Sequence, residues 1–308
     1  MPKRAKTKPA GNTLDDFSNH LIENDRAPLT VKSYLRDLTL FAHWFERSND
    51  QPLTPEVLTP TDAREYKQRL INTDKASPAT INRRLAALRA YVAWALEKGF
   101  IEYDPLGAVQ SVEEQTVAPK WLNKQEQYRV LREVEKTLHA ARTETAKRQA
   151  IRDQAIVVVL LNTGLRVGEL IALELGDVKL SERKGEVRVR SGKGAKARTV
   201  PLNQPAREAL RHWLAVREDV DTDQVFVGKR GALTQNAVQR QLAEIGRRAK
   251  VDLTPHVLRH SFAKNLINAK VSMEKVAALL GHSSLNTTRL YTLPSQADLA
   301  EATEVLEG

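Results

Sequence analysis

Residues 254–269 read TPHVLRHSFAKNLINA. Thr254 fits an N-cap and Pro255 the first helical position, where a ring nitrogen without a proton costs no hydrogen bond. Leu258, Phe262 and Leu266 recur every four residues and form the buried stripe of the helix. His256 and Arg259, three apart, share another face near its N-terminus. That end of a helix favours anions, so an imidazole and a guanidinium placed there suit a phosphate. On this stretch alone, an amphipathic helix with two exposed polar residues is the simpler reading. His256 and His260 also stand at the i, i+4 spacing of a helical zinc pair. The glutamate of an HExxH motif is absent, with Val257 and Leu258 in the gap, and no third ligand suggests itself, which argues against a metal.

Toward the C-terminus, VSMEKVAALLGHSS (271–284) is a short helix that Ser272 caps and Gly281 ends. His282 follows directly and is fixed by that turn, where it could simply stabilise the helix end. Nine residues on, in SLNTTRLYTLP, comes Tyr291. A phenol titrates near 10 and is a poor nucleophile at neutral pH unless a base takes its proton and cations stabilise the product charge. A tyrosine alone would be read as packing. Upstream, LNTGLRVGELIAL (161–173) sets Arg166 just after a Gly164 break, with Glu169 three residues on to hold its guanidinium. An arginine in so apolar a stretch wants an anionic partner. Lys193 sits in the turn SGKGAKAR, a mobile cation at a hairpin tip, where lysines usually only face solvent.

Around these segments the chain reads as mainly α with a small β-sheet, an α+β protein. From Leu14 to about Gly99 four helices are expected. One is capped by Thr30 and carries Tyr34, Leu38, Phe41 and Phe45; another is opened by Thr61 or Asp62; a third starts at Ser77-Pro78 with Ile81, Leu85, Leu88, Val92 and Leu96. Arg83, Arg84 and Arg89 lie on that last helix, where they either track a nucleic-acid backbone or stay solvated. Residues 111–120 are poor in large apolar groups and read as a linker. Beyond it, helices are expected over 123–137, 145–162, 204–217, 234–250, 255–269 and 272–280. Val187 and Val189 alternate with Arg188 and Arg190 and pair across the turn with Thr199-Val200.

The 308 residues carry 48 Lys plus Arg against 38 Asp plus Glu, a net charge of +10. The excess is uneven: 16 basic and 14 acidic residues fall in 1–110, 32 and 24 in 111–308. Such a surface suits a polyanion, nucleic acid being the commonest. The absence of cysteine excludes disulfides, Cys-ligated zinc, iron–sulfur clusters and thiol catalysis, and fits a cytoplasmic protein. The longest apolar run, Ala155 to Leu161, is too short to span a bilayer, so no membrane partner is expected. Residues 1–11 are basic without an apolar stretch behind them and read as a disordered arm rather than a secretory signal.

Taken in order, TGLRVGEL, SGKGAKARTVPL, HVLRHSFA and LLGHSSLNTTRLYT closely resemble the tyrosine recombinase (phage integrase) family. The resemblance covers nearly the whole chain, and four motifs in sequence are highly specific. It implies a helical core-binding, SAM-like domain over 12–110, a linker over 111–120 and a catalytic domain over 121–294, of the kind shared with type IB topoisomerases. Residues 295–308 would be a segment able to dock on a neighbouring subunit. It further implies a site-specific recombinase that cleaves and rejoins DNA through a 3′-phosphotyrosine and exchanges strands in two steps through a Holliday junction.

By the same resemblance Arg166 and Arg259 clamp the scissile phosphate and His256 accepts the proton of Tyr291. His282 hydrogen-bonds the phosphate, Lys193 protonates the departing 5′ oxygen, and Glu169 stands behind Arg166. No cofactor or metal is required, because two guanidiniums neutralise the phosphodiester and a cation-borne proton eases the leaving group. The partner is double-stranded DNA bearing a specific site, gripped by a C-shaped clamp, with a homotetramer on two paired sites. Residues 1–11 leave no room for the arm-binding domain of many phage integrases, so simpler Xer-like or transposon-borne enzymes are the better likeness. The stretch 136–150 looks longer than the usual Xer connection. A type IB topoisomerase and a DNA-binding regulator with a vestigial site are the competing readings, and the intact set of candidate residues argues against the second.

Overall fold

The structure, a computed structural model, describes residues 13–114, 119–190, 197–282 and 284–292. The basic arm 1–11, the expected docking segment 295–308 and the expected hairpin tip with Lys193 therefore lie outside the described residues. The chain divides into two compact units, Met1–Thr116 and Val117–Gly308.

The described part of the first unit forms four helices: α1 Thr13–Glu23, α2 Pro28–Asn49, α3 Pro60–Asn72 and α4 Pro78–Glu97. Ser77 caps α4 by accepting the Thr80 N–H, and Ile81, Leu85, Leu88 and Val92 are buried along it. Two starts differ from expectation. Helix α2 opens at Pro28, two residues before Thr30, and α3 at Pro60, because proline at the first position presets the helical φ. Thr59, not Thr61, caps α3: its hydroxyl accepts the Asp62 N–H while the Asp62 carboxylate takes the Thr59 N–H at 2.9 Å. The core is aromatic. Phe17 meets Tyr91 edge-on at 5.5 Å, and the buried Tyr91 hydroxyl finds Thr13 at 2.7 Å, tying α1 to α4.

The three arginines of α4 are committed within the unit. Arg83 bonds the buried Asp37 and reaches Ser33, Arg84 lies 3.7 Å from Asp74, and Arg89 donates to the Val109 carbonyl at 2.6 Å. The first residues of the expected linker are also fastened down. Asn82 exchanges two hydrogen bonds of 2.8 Å with the Val112 backbone.

The second unit contains α5 Lys124–Ala140, α6 Glu144–Thr163, α7 Val167–Ala172, β1 Val178–Leu180, β2 Gly185–Val189, β3 Arg198–Pro201 and α8 Gln204–Val216. After these come β4 Val227–Gly228, β5 Gly231–Ala232, α9 Gln235–Ala249, α10 Pro255–Asn268, α11 Met273–Leu280 and α12 Leu285–Arg289. A 3-10 turn, Leu290–Thr292, ends the described chain. Helix α6 is the central element and packs on α5, α8 and α10. Strands β1, β2 and β3 make an antiparallel sheet in that order, with Val187 opposite Val200 and Val189 opposite Arg198. Val187, Val189 and Val200 share the buried face, as period-two alternation requires. The sequence reading missed β1 and the β4–β5 ribbon, which at two or three residues each are too short to show a period. Among the described residues no helix is long and apolar enough to cross a membrane.

Candidate active site

The site is built where the end of α6, the start of α10 and the end of α11 meet. Helix α6 stops at Gly164 in the left-handed conformation, φ 63°. A Cβ there would stand 2.4 Å from Phe262 and 2.8 Å from Leu280, so only glycine lets the turn lie against α10 and α11. That approach brings the Gly164 carbonyl to Arg259, which donates to it and, at 2.8 Å, to the Leu280 carbonyl. Arg259 is 4% exposed. Burial, with Arg166 nearby, pulls its guanidinium down to about 10, so it remains charged at neutral pH.

Arg166 occupies the N-cap of α7. Glu169 reaches back to its backbone N–H at 2.8 Å and takes its Nη1 at 2.9 Å. The Arg166 side chain is nevertheless 46% exposed, leaving donors turned to solvent. Glu169 is shared. Arg198, the first residue of β3, grips both its oxygens at 2.9 and 2.8 Å and donates Nε to the Leu279 carbonyl at 2.9 Å. Burial would raise the Glu169 carboxyl, but the hydrogen bonds from Arg198 and Arg166 outweigh it and hold the group at about 2. Gly281, φ 65°, ends α11 against this guanidinium: a Cβ would come 2.8 Å from Arg198 Nη1. Two guanidiniums thus share one carboxylate, a third, that of Arg259, lies near enough to feel it, and the surplus charge awaits an anion.

His282 follows Gly281. Its Nδ1 meets the buried Thr288 hydroxyl at 2.9 Å, which fixes the ring. Burial and then Arg259 and the other arginines push it down to about 4, so it is neutral at pH 7. Tyr291 is 3% exposed and packs with Phe262, Ala263, Val276 and Leu280. Its ring lies 6.4 Å from that of His282, nearly parallel at 11°. Burial raises the phenol above 10, and Arg259 and Arg166 partly counter the shift.

Of the residues expected from sequence, Arg166, Glu169, Arg259, His282 and Tyr291 come together. Lys193 lies outside the described residues. His256 does not touch the phenol. It is exposed, and the imidazole against Tyr291 is that of His260, with Nδ1 2.8 Å from the hydroxyl. The His256 ring stacks beside His260 at 6.2 Å. The i, i+4 spacing does place two imidazoles on one face, but it serves a contact with Tyr291. Among the described residues no three His, Cys, Asp or Glu side chains gather as a metal site. Arg198 was likewise missed. Its signal lay in the quoted stretch SGKGAKARTVPL, where an arginine at a strand's first residue looks like surface charge.

Residues 130–297 match the phage integrase family, and residues 14–99 match its N-terminal SAM-like domain. The chain is similar to a tyrosine recombinase XerC of Chlorobaculum parvum, 33% identical over 91% of this chain and 89% of that protein. A tyrosine recombinase XerD of Listeria innocua is 32% identical over 91% of this chain and 93% of its own. In fold the chain is like a XerH site-specific recombinase solved on palindromic difH substrate as a post-cleavage complex. That likeness has a TM-score of 0.75 at 23% identity, over 98% of this chain and 91% of that one. A lambda integrase dimer solved on a COC′ core site gives a TM-score of 0.69 at 18% identity, covering 91% and 93%. The motifs, the shared fold and the identity along nearly the whole chain agree: this chain belongs to the phage integrase family of tyrosine recombinases.

Proposed function

We propose that the protein is a site-specific DNA recombinase that breaks and rejoins duplex DNA through a covalent link to Tyr291. The observation that carries this reading is the convergence of Arg166, Arg259, His282 and Tyr291, from three stretches far apart in sequence, around a surplus of positive charge. A phosphodiester brings the missing anion. Arg166 has donors facing solvent, and Arg259 uses only two of its five for the backbone, so both have N–H groups left for non-bridging oxygens. As the phosphorus becomes five-coordinate its charge grows, and donors already held in place stabilise that state more than the ground state.

Attack by Tyr291 Oη forms the phosphotyrosine on the 3′ side and expels the 5′ oxygen, which takes a proton from Lys193. His282, fixed by Thr288, holds a non-bridging oxygen, and the family likeness gives His256, exposed at the start of α10, as the acceptor of the Tyr291 proton. The covalent link conserves the energy of the bond, so rejoining needs no external source. DNA is the partner, as the DNA-bound relatives of this fold support. The finer reading is a homotetramer on two paired sites that passes through a Holliday junction, with 12–110 binding DNA, 121–294 catalytic and 295–308 available for docking.

The test is a nicked suicide duplex. Wild-type protein should be trapped on a 3′-phosphate with the adduct on Tyr291, and Tyr291→Phe should bind with similar affinity while forming no adduct. An adduct that maps to Tyr34, Tyr66, Tyr91, Tyr103 or Tyr128 would overturn the mechanism.

A further inference from the structure

The nucleophile's hydroxyl has a resident partner that the mechanism above does not use. His260 Nδ1 stands 2.8 Å from Tyr291 Oη, and among the described residues it is the one hydrogen-bond partner of that hydroxyl. The direction of the bond follows from the protonation states. Burial, then His256 and Arg259, push His260 down to about 4, so the ring is neutral at pH 7 and carries a single N–H. The phenol, raised by burial, keeps its proton. A buried O–H without an acceptor is costly. The bond therefore runs from Oη–H to Nδ1, with the ring proton on Nε2.

We propose that His260, rather than His256, takes the Tyr291 proton during cleavage, a proposal that rests on the recombinase reading given above. As the Oη–P bond forms and the P–O5′ bond breaks, the phenolic proton crosses to Nδ1 and leaves His260 an imidazolium. The 5′ oxygen keeps the electron pair and is protonated by Lys193. On rejoining, the 5′ hydroxyl gives its proton back to Lys193 as it attacks phosphorus, the P–Oη bond breaks, and Tyr291 recovers its proton from His260. Every proton and electron pair is then returned.

The surroundings make this transfer conditional. The titratable and charged groups facing His260 are His256 and Arg259 on its own helix, Tyr291 on the terminal turn and His282 after α11. Without DNA the imidazolium would stand beside Arg259 uncompensated, and the phenol stays protonated. A phosphodiester seated among the arginines offsets that repulsion. Substrate binding thereby switches on the base, and the free protein is kept from reacting.

Two measurements decide it. In the DNA-free protein, 15N NMR of the histidine rings should show His260 with Nδ1 bare and Nε2 protonated. A His260 carrying its proton on Nδ1 would overturn the proposal. For cleavage, the probe is a nicked duplex of the sequence that the protein itself selects from a random pool. His260→Asn keeps an acceptor near the Nδ1 position but cannot be protonated, and adduct formation should slow by roughly 100- to 10,000-fold. Placing a fluorinated tyrosine of lower pKa at 291 should restore at least tenfold of that loss, which a merely structural defect would not permit. His256→Asn should show no such recovery. Wild-type rates in His260→Asn, or recovery confined to His256→Asn, would return the role to His256. If His260→Asn does not fold, His260→Gln and the wild-type NMR measurement decide instead. Failure of the wild-type protein to form any adduct would count against the recombinase reading, whereas the tautomer tests His260 separately.

Discussion

The two units use arginine in opposite ways. In the first, Arg83, Arg84 and Arg89 go to three separate places: the buried Asp37, which also has Arg36 nearby, Asp74, which also has Arg69, and the Val109 carbonyl. In the second, Arg166 and Arg198 share a single carboxylate, Glu169, while Arg198 and Arg259 bond the carbonyls of Leu279, Gly164 and Leu280 close by. Matched charge holds helices together. Guanidiniums brought together at one place and fixed there by backbone carbonyls, which cannot neutralise them, are the mark of a site for an anion. Counting basic residues does not separate the two uses, since α4 carries three arginines in seven residues, each engaged separately along the helix.

The sharpest way to break this comparison is to remove one arginine of each kind. Arg259→Ala should lower single-turnover cleavage by at least 100- to 1,000-fold, the scale of losing one preorganised donor to a developing oxyanion. Arg83→Ala should leave cleavage by the folded protein unchanged. It leaves the Asp37 carboxylate, which is 1% exposed, with Arg36 at 3.7 Å and no longer bonded to Arg83, and should cost about 1–3 kcal/mol in urea unfolding. Equal losses of cleavage in both variants would erase the distinction.

A smaller effect is expected at Arg198, which touches no substrate in this arrangement and acts through Glu169 and the end of α11. Arg198→Ala should slow cleavage by about 10- to 100-fold through misplacement of Arg166 and His282. Arg198→Lys should rescue little, because an ammonium cannot span both oxygens of Glu169. DNA affinity should stay nearly constant, so a parallel loss of binding would make Arg198 a DNA contact instead.

The mildest effect concerns acid. His260 and His282 titrate near 4 in the folded protein against 6.5 ordinarily. The unfolded chain therefore binds more protons between those values, and stability should fall as pH drops from about 6.5 to about 4. Glu169, held near 2 against 4.5, adds its own loss only below about 4.5. Urea midpoints at several pH values should show the first decline, and His282→Asn should flatten it. An unchanged slope would mean that His282 is not held neutral in the fold.

Much of this was legible in the letters. The 3.6-residue stripes of α4, α6 and α10, the caps Ser77 and Thr254 and the stops at Gly164 and Gly281 are local, so each helix and its chemistry-bearing residues could be read directly. Arg166, Glu169, Arg259, His282 and Tyr291 stood out because four motifs follow in a fixed order. What the sequence could not decide was which side chain meets which. His256 and His260 share a helix face, and one turn of α10 separates the imidazole that touches Tyr291 from the one that does not. That choice depends on where α11 and the terminal turn lay Tyr291 against α10, and so on packing at Phe262, Val276 and Leu280. Arg198 is the same case. A strand's first residue becomes the hub of the site only because β3 runs past α7 and the end of α11, and contacts between segments so far apart leave no local period to read.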